Sequence, residues 1–123
     1  MRKFALVLLS GALALTTPAA QGHSALVTST PKSGAVMKTF PKTFSLTFNE
    51  EILKLPGKEP SRVQLIAPNS KRISLGKVVI AKEVLTVPMS KAAVKAGKYR
   101  LTYRVVSNDG HVISGEISFT YKP

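Results

Sequence analysis

The chain has only two histidines, His23 and His111, and each sits where metal chemistry is possible. His111 closes the run Ser107-Asn108-Asp109-Gly110-His111, and His23 directly follows an apolar leader. If the leader is cut after Gly22, the His23 amine and imidazole, the Asp109 carboxylate and the His111 imidazole can meet at one metal ion. Copper(II) suits that donor set, because it favours tetragonal nitrogen and oxygen sites and tops the divalent affinity series. An N-terminal His chelates through its amine and one ring nitrogen, so a single residue fixes two equatorial positions. Asp109 and His111 are two apart, a spacing that puts both side chains on one side of an extended segment. Gly110 between them keeps the approach open.

Each piece also has a plainer reading. Asn108-Asp109-Gly110 is a hairpin-turn signal in its own right. His111 alone reads as a half-exposed hairpin residue, His23 alone as a frayed terminus, and Glu50-Glu51 as loop acids. Tyr99 and Tyr103 read as core. The metal reading gains from both histidines falling where one site needs them.

The leader has the three parts of a secretory signal: cationic Met1-Arg2-Lys3, an apolar run from Phe4 to Leu15, and a small-residue stretch ending Ala20-Gln21-Gly22. Cleavage after Gly22 puts Ala20 and Gly22 at the two positions that need small side chains. Cutting after Ala20 or Ala25 would put Pro18 or His23 at one of them. As an uncleaved anchor, an apolar run of about 12 residues falls short of the roughly 20 that span a bilayer. The sequence therefore predicts a signal peptide over 1–22 and one domain over 23–123.

That domain is large enough for a single core. The chain has no cysteine, so the fold must hold without disulfides and metal binding cannot use thiolates. The formal charge of +12 becomes +10 without Arg2 and Lys3. Such a surface attracts phosphate, acidic protein faces or lipid headgroups, and peripheral contact with an anionic membrane is one expectation. Nucleic acid is not expected, because the lysines are scattered singly from Lys32 to Lys122 without a dense basic run, a recognition-helix stripe or an aromatic RNA-binding motif.

Short period-two segments between turn residues predict an all-β sandwich or barrel. The first edge strand, over Ala25–Thr28, should end at the turn Thr30-Pro31-Lys32-Ser33-Gly34. Phe44, Leu46 and Phe48 alternate with polar residues and share one face. A loop follows through Pro56–Pro60. Further strands are expected over 62–66, over 73–80 with an interruption at Gly76, and over 83–87. Ser90–Ala96 has good helix formers, with Ser90 as N-cap and Gly97 as stop. Two central strands should carry Tyr99, Leu101, Tyr103 and Val105, and Ile117, Phe119 and Tyr121.

Several of these segments occur together in one order: the His after a leader, Thr30-Pro31, Leu46-Thr47-Phe48-Asn49-Glu50, Gly97-Lys98-Tyr99, Arg104-Val105-Val106-Ser107-Asn108-Asp109-Gly110-His111, and Gly115-Glu116-Ile117-Ser118-Phe119-Thr120. The combination resembles the CopC family of periplasmic copper-binding proteins over essentially all of 23–123. The resemblance implies a small Greek-key β-sandwich, immunoglobulin-like or cupredoxin-like. It implies one copper(II) per chain on His23, Asp109 and His111, with Glu50 beside the metal rather than on it. The implied role is that of a monomeric, non-enzymatic periplasmic carrier or chaperone in copper homeostasis or resistance, exchanging metal with a CopD-like inner-membrane transporter.

The chain departs from the family pattern in two places. Some members carry a Met-rich loop for copper(I), whereas Met37 and Met89 are isolated and the Pro56–Pro60 loop has neither Met nor His, so no dedicated copper(I) site is expected. Tyr103 stands where many members have Trp. Two other function classes fit parts of the sequence. An oxidative enzyme with a histidine brace would share the N-terminal His, although an Asp ligand fills a position that oxygen chemistry wants open. A metal-free immunoglobulin-like interaction module would use the basic face alone.

Overall fold

The computed structural model describes residues 25–123, so the leader and His23 lie outside the described residues. Among the described residues nine strands form: β1 (Leu26–Thr30), β2 (Ala35–Met37), β3 (Thr43–Phe48), β4 (Arg62–Ile66), β5 (Arg72–Ile73), β6 (Val79–Ala81), β7 (Val84–Pro88), β8 (Gly97–Val106) and β9 (Val112–Tyr121). They make a four-stranded sheet in the order β1-β3-β7-β6 and a five-stranded sheet in the order β2-β9-β8-β4-β5. The chain passes repeatedly from one sheet to the other, as a Greek-key β-sandwich requires.

Alternation decides which face is buried. On β3, Phe44, Leu46 and Phe48 turn inward while Thr43, Ser45 and Thr47 stay outside. Leu85 and Val87 continue that layer from β7, and Leu65, Tyr99, Leu101, Val105, Ile113, Ile117 and Phe119 face them from the other sheet. At one end, Tyr99 stacks on Phe119 with ring centroids 5.5 Å apart, and Phe40 meets Tyr99, Phe119 and Tyr121 edge-on. Each such ring pair adds about 0.5–1.5 kcal/mol beyond the area it buries.

Three expectations change, and one strand is new. The segment expected as an interrupted strand over 73–80 is split between the sheets, with β5 beside β4 and β6 beside β7. Ser90–Ala96 is not a helix. The Tyr99 hydroxyl accepts the Lys95 N–H at 3.0 Å and donates to the Lys95 carbonyl at 2.6 Å, taking both groups that a helix would use. Seven residues cannot outweigh that, since helix nucleation is costly in so short a segment. The chain between Pro31 and Phe40 contains a strand the sequence did not suggest: β2, three residues without alternation, pairs in parallel with β9. Tyr103 is only partly buried, unlike Tyr99 and Leu101 on the same strand.

Candidate metal centre

The site begins with a hairpin. β8 and β9 pair without a break from Gly97↔Tyr121 to Val106↔Val112. The connection that remains has three residues, Asn108-Asp109-Gly110, between Ser107 and His111. The Gly110 N–H donates to the Ser107 carbonyl and the Ser107 N–H to the His111 carbonyl, both at 2.9 Å. Gly110 has φ +82°, the left-handed region that closes a three-residue hairpin loop and that glycine enters without strain. Ser107 is wholly buried, and its hydroxyl also accepts the His111 N–H at 3.2 Å. Thus the backbone on both sides of Asp109 is fixed. Asp109 and His111 come together through this turn, not through the alternation of an extended strand.

The second part is the chain leaving β3. The Phe48 N–H donates to the Glu83 carbonyl, Ile52 N–H to Lys82, and Leu53 N–H to Val106, each at 2.9 Å. Residues 48–53 therefore cross from one sheet to the other along the end of the sandwich. The Asn108 side chain donates to Glu51 Oε2 and its N–H to the Glu51 carbonyl, both at 2.9 Å, so the hairpin tip is bound to this crossing. Asn49 binds the chain entering β1: its Oδ1 accepts the Ala25 N–H at 2.8 Å, and its N–H donates to the Ala25 carbonyl at 3.0 Å. Three segments distant in sequence are thereby held at one end.

Glu50 emerges from this crossing toward the hairpin. Its Oε2 lies 3.5 Å from His111 Nδ1, with the His side chain 59% exposed and the Glu side chain 23%. One potential donor atom from each of Glu50, Asp109 and His111 lies within 4.8 Å of the others. The charge distribution is equally pointed. In a chain of 18 basic and 6 acidic residues, three acids, Glu50, Glu51 and Asp109, gather at this end.

Beneath the hairpin, Tyr103 lies edge-on to Phe48 with ring centroids 5.6 Å apart. Its register partner is Gly115, and a Cβ there would sit 2.4 Å from the Tyr103 hydroxyl oxygen, so the ring occupies the room that a side chain at 115 would need. Burial raises the Tyr103 hydroxyl above the ordinary tyrosine range.

Of the residues singled out in the sequence, the structure brings Asp109, His111 and Glu50 together; His23 is outside the described residues. Sequence reasoning missed Ser107, Asn108, Glu51 and Asn49 as the scaffold. The Asn-Asp-Gly turn signal hinted at Asn108. Nothing local marked the others, because their bonds join segments far apart in the chain.

Fold and cluster define a small all-β sandwich that presents a nitrogen and oxygen donor set at one end. The chain belongs to the CopC family, whose domain model matches residues 26–122. It is similar to copper resistance protein C of Xanthomonas campestris pv. juglandis, with 30% identity over 132 aligned residues covering 98% of this chain and 97% of that protein. Among solved structures, CopC from Methylosinus trichosporium OB3b matches with a TM-score of 0.67 and 27% identity over 82% of this chain and 95% of that one. PcoC, a methionine-rich copper resistance protein from Escherichia coli, shares the fold at a TM-score of 0.63 and 24% identity, over 81% of this chain and 99% of that one.

Proposed function

We propose that the protein is a periplasmic copper(II) carrier, released from its leader after Gly22, that holds one ion with the His23 amine and imidazole, Asp109 and His111. The observation that carries this reading is the convergence of Glu50, Asp109 and His111 in a member of a copper-resistance family. Ala25 supports the missing donors. It is bonded to Asn49, the neighbour of Glu50, and His23 is two residues earlier, a span of at most about 7 Å. A free N-terminus at His23 would therefore start two residues from a backbone bonded beside Glu50.

The donor types fit the cargo. Imidazole, amine and carboxylate suit copper(II), and the absence of cysteine leaves no thiolate to draw in softer ions. Glu50 faces Nδ1 of His111, which leaves Nε2 for the metal. A carboxylate this close to Nδ1 favours, by its charge, the tautomer with the proton on Nδ1 and raises the basicity of the ligating nitrogen. Glu50 thus orients His111 rather than binding copper itself. The exposed His111 and a ligand on the chain terminus make the ion accessible for exchange, and the carrier passes it to or from a CopD-like transporter in the inner membrane. The protein acts as a monomer and binds copper without turning over a substrate.

The test is calorimetric titration of copper(II) into the chain beginning at His23. One equivalent should bind, and His111→Ala or Asp109→Ala should weaken it by more than the roughly 10- to 100-fold that losing an outer partner costs. Unchanged binding in both variants would remove the hairpin from the site.

A further inference from the structure

The two outer faces of the sandwich differ sharply in charge. On the four-stranded sheet the outward strand positions, among them Thr43, Ser45, Thr47, Val84 and Thr86, carry no ionisable side chain. On the five-stranded sheet the outward positions hold every arginine of the described residues, Arg62, Arg72, Arg100 and Arg104, together with Lys98, and all five are exposed. Glu116 is the one acid among those outward positions, 3.1 Å from Arg100.

The register turns these residues into an array. Arg62 and Arg104 are direct partners on β4 and β8, while Arg72 and Arg100 flank Ile66 from either side. Neighbouring strands are about 4.8 Å apart and residues rise about 3.4 Å, so the four arginines span about 10 Å across the strands and about 14 Å along them, and Lys98 extends the row to about 20 Å. Like charges directly opposite in a sheet are destabilising. Here they are arginines, whose forked guanidinium binds phosphate oxygens bidentately, and an anion between Arg62 and Arg104 would turn the repulsion into attraction.

We propose that this arginine face docks on the phosphate layer of an anionic lipid membrane. The charges are spread over the face, with Gln64 and Thr102, which are register partners, between them as further hydrogen-bonding groups. The grooves near Phe40 and Val94, near Pro56 and Lys77, and near Pro68 and Lys95 open elsewhere. A broad array outside these grooves matches a layer of headgroups better than an acidic peptide, which would seat its side chains in pockets. Val112, 51% exposed, ends the same face beside the hairpin. Docking would set the Glu50–Asp109–His111 cluster at the edge of the contact, open sideways to an integral membrane partner. The inference rests on the reading of an exported protein working beside a membrane, but its test needs no copper.

The experiment is cosedimentation of the copper-free chain beginning at His23 with phosphatidylglycerol–phosphatidylcholine vesicles, with pure phosphatidylcholine as the neutral surface. Binding should require the anionic lipid and weaken with salt. Each basic residue near such a surface is worth a factor of about 5, so Arg62→Gln with Arg104→Gln should lower the partition coefficient about 25-fold. Removing the same charge elsewhere, with Lys58→Gln and Lys77→Gln, should cost under about 3-fold if the face, not the net charge, is read. Arg72→Gln with Lys98→Gln repeats the test should the first pair fail to fold. Equal losses from both kinds of pair, or no binding to anionic vesicles, would overturn the proposal. Arginine-dependent binding of polyglutamate without vesicle binding would replace the membrane with an acidic polypeptide. Copper titration of the Arg62→Gln, Arg104→Gln protein keeps the two readings apart, since one equivalent should still bind.

Discussion

Glu50 Oε2 and His111 Nδ1 stand 3.5 Å apart, although one residue leaves β3 of the four-stranded sheet and the other enters β9 of the five-stranded sheet. The contact exists because residues 49–53 are bonded in turn to the entry of β1, the β6–β7 turn and the β8–β9 hairpin. The site is therefore a property of the closed sandwich, and it should disperse when the sandwich unfolds.

Glu50→Gln tests the orienting role. The amide keeps the size but loses the charge that supports the ligating His111, so copper(II) affinity should fall by roughly 10- to 100-fold with stoichiometry unchanged. Competition with a chelator of known affinity measures it. Wild-type affinity would show that Glu50 does not act on the site, and loss of the site altogether would make it a ligand.

Ser107→Ala removes a buried acceptor from the His111 N–H. The lost bond should cost about 0.5–1.5 kcal/mol of stability in urea unfolding, and copper binding should weaken as the turn loosens. An unchanged unfolding midpoint would show that Ser107 does not anchor the hairpin.

The strands with strong alternation were legible: Phe44, Leu46 and Phe48, and the inward rows through Leu101 and Ile117, lie as the pattern requires. Weak local signals misled. β2 is too short to alternate, and Ser90–Ala96 has helical composition but its Lys95 backbone is taken by the Tyr99 hydroxyl four residues on. At the site, Asp109 and His111 were visible as neighbours in sequence. Glu50 entered only through the family resemblance, because what brings it to His111 is a set of backbone bonds between distant segments. Their proximity is thus legible only once the sheets are closed.

Tyr103 gives a prediction at alkaline pH. Burial raises its hydroxyl pKa in the folded state above the ordinary value of 10.0, so the unfolded chain releases this proton first as pH rises. Its contribution is fully present below the unfolded value and is lost as pH climbs through the folded one. Stability from pH 9 upward, measured by denaturant unfolding, should fall less steeply in Tyr103→Phe than in wild type, once about pH 10 is passed. Identical alkaline slopes would contradict the burial.

Proton competition gives another. Amine and imidazole ligands must be deprotonated, so copper affinity should decline steadily as pH drops through about 8 to 6, where free α-amino and imidazole groups take up protons. A flat profile in competition titrations would point to carboxylates alone.

The most direct measurement compares copper(II) binding, by titration and electron paramagnetic resonance, in the chain beginning at His23 and in the same chain carrying one extra Met before it. One tight equivalent with a nitrogen-rich tetragonal spectrum is expected in the first protein, and loss of that spectrum with much weaker binding in the second. Equal affinity and identical spectra in the two would contradict the N-terminal chelate and leave Glu50, Asp109 and His111 without the partner on which the copper reading depends.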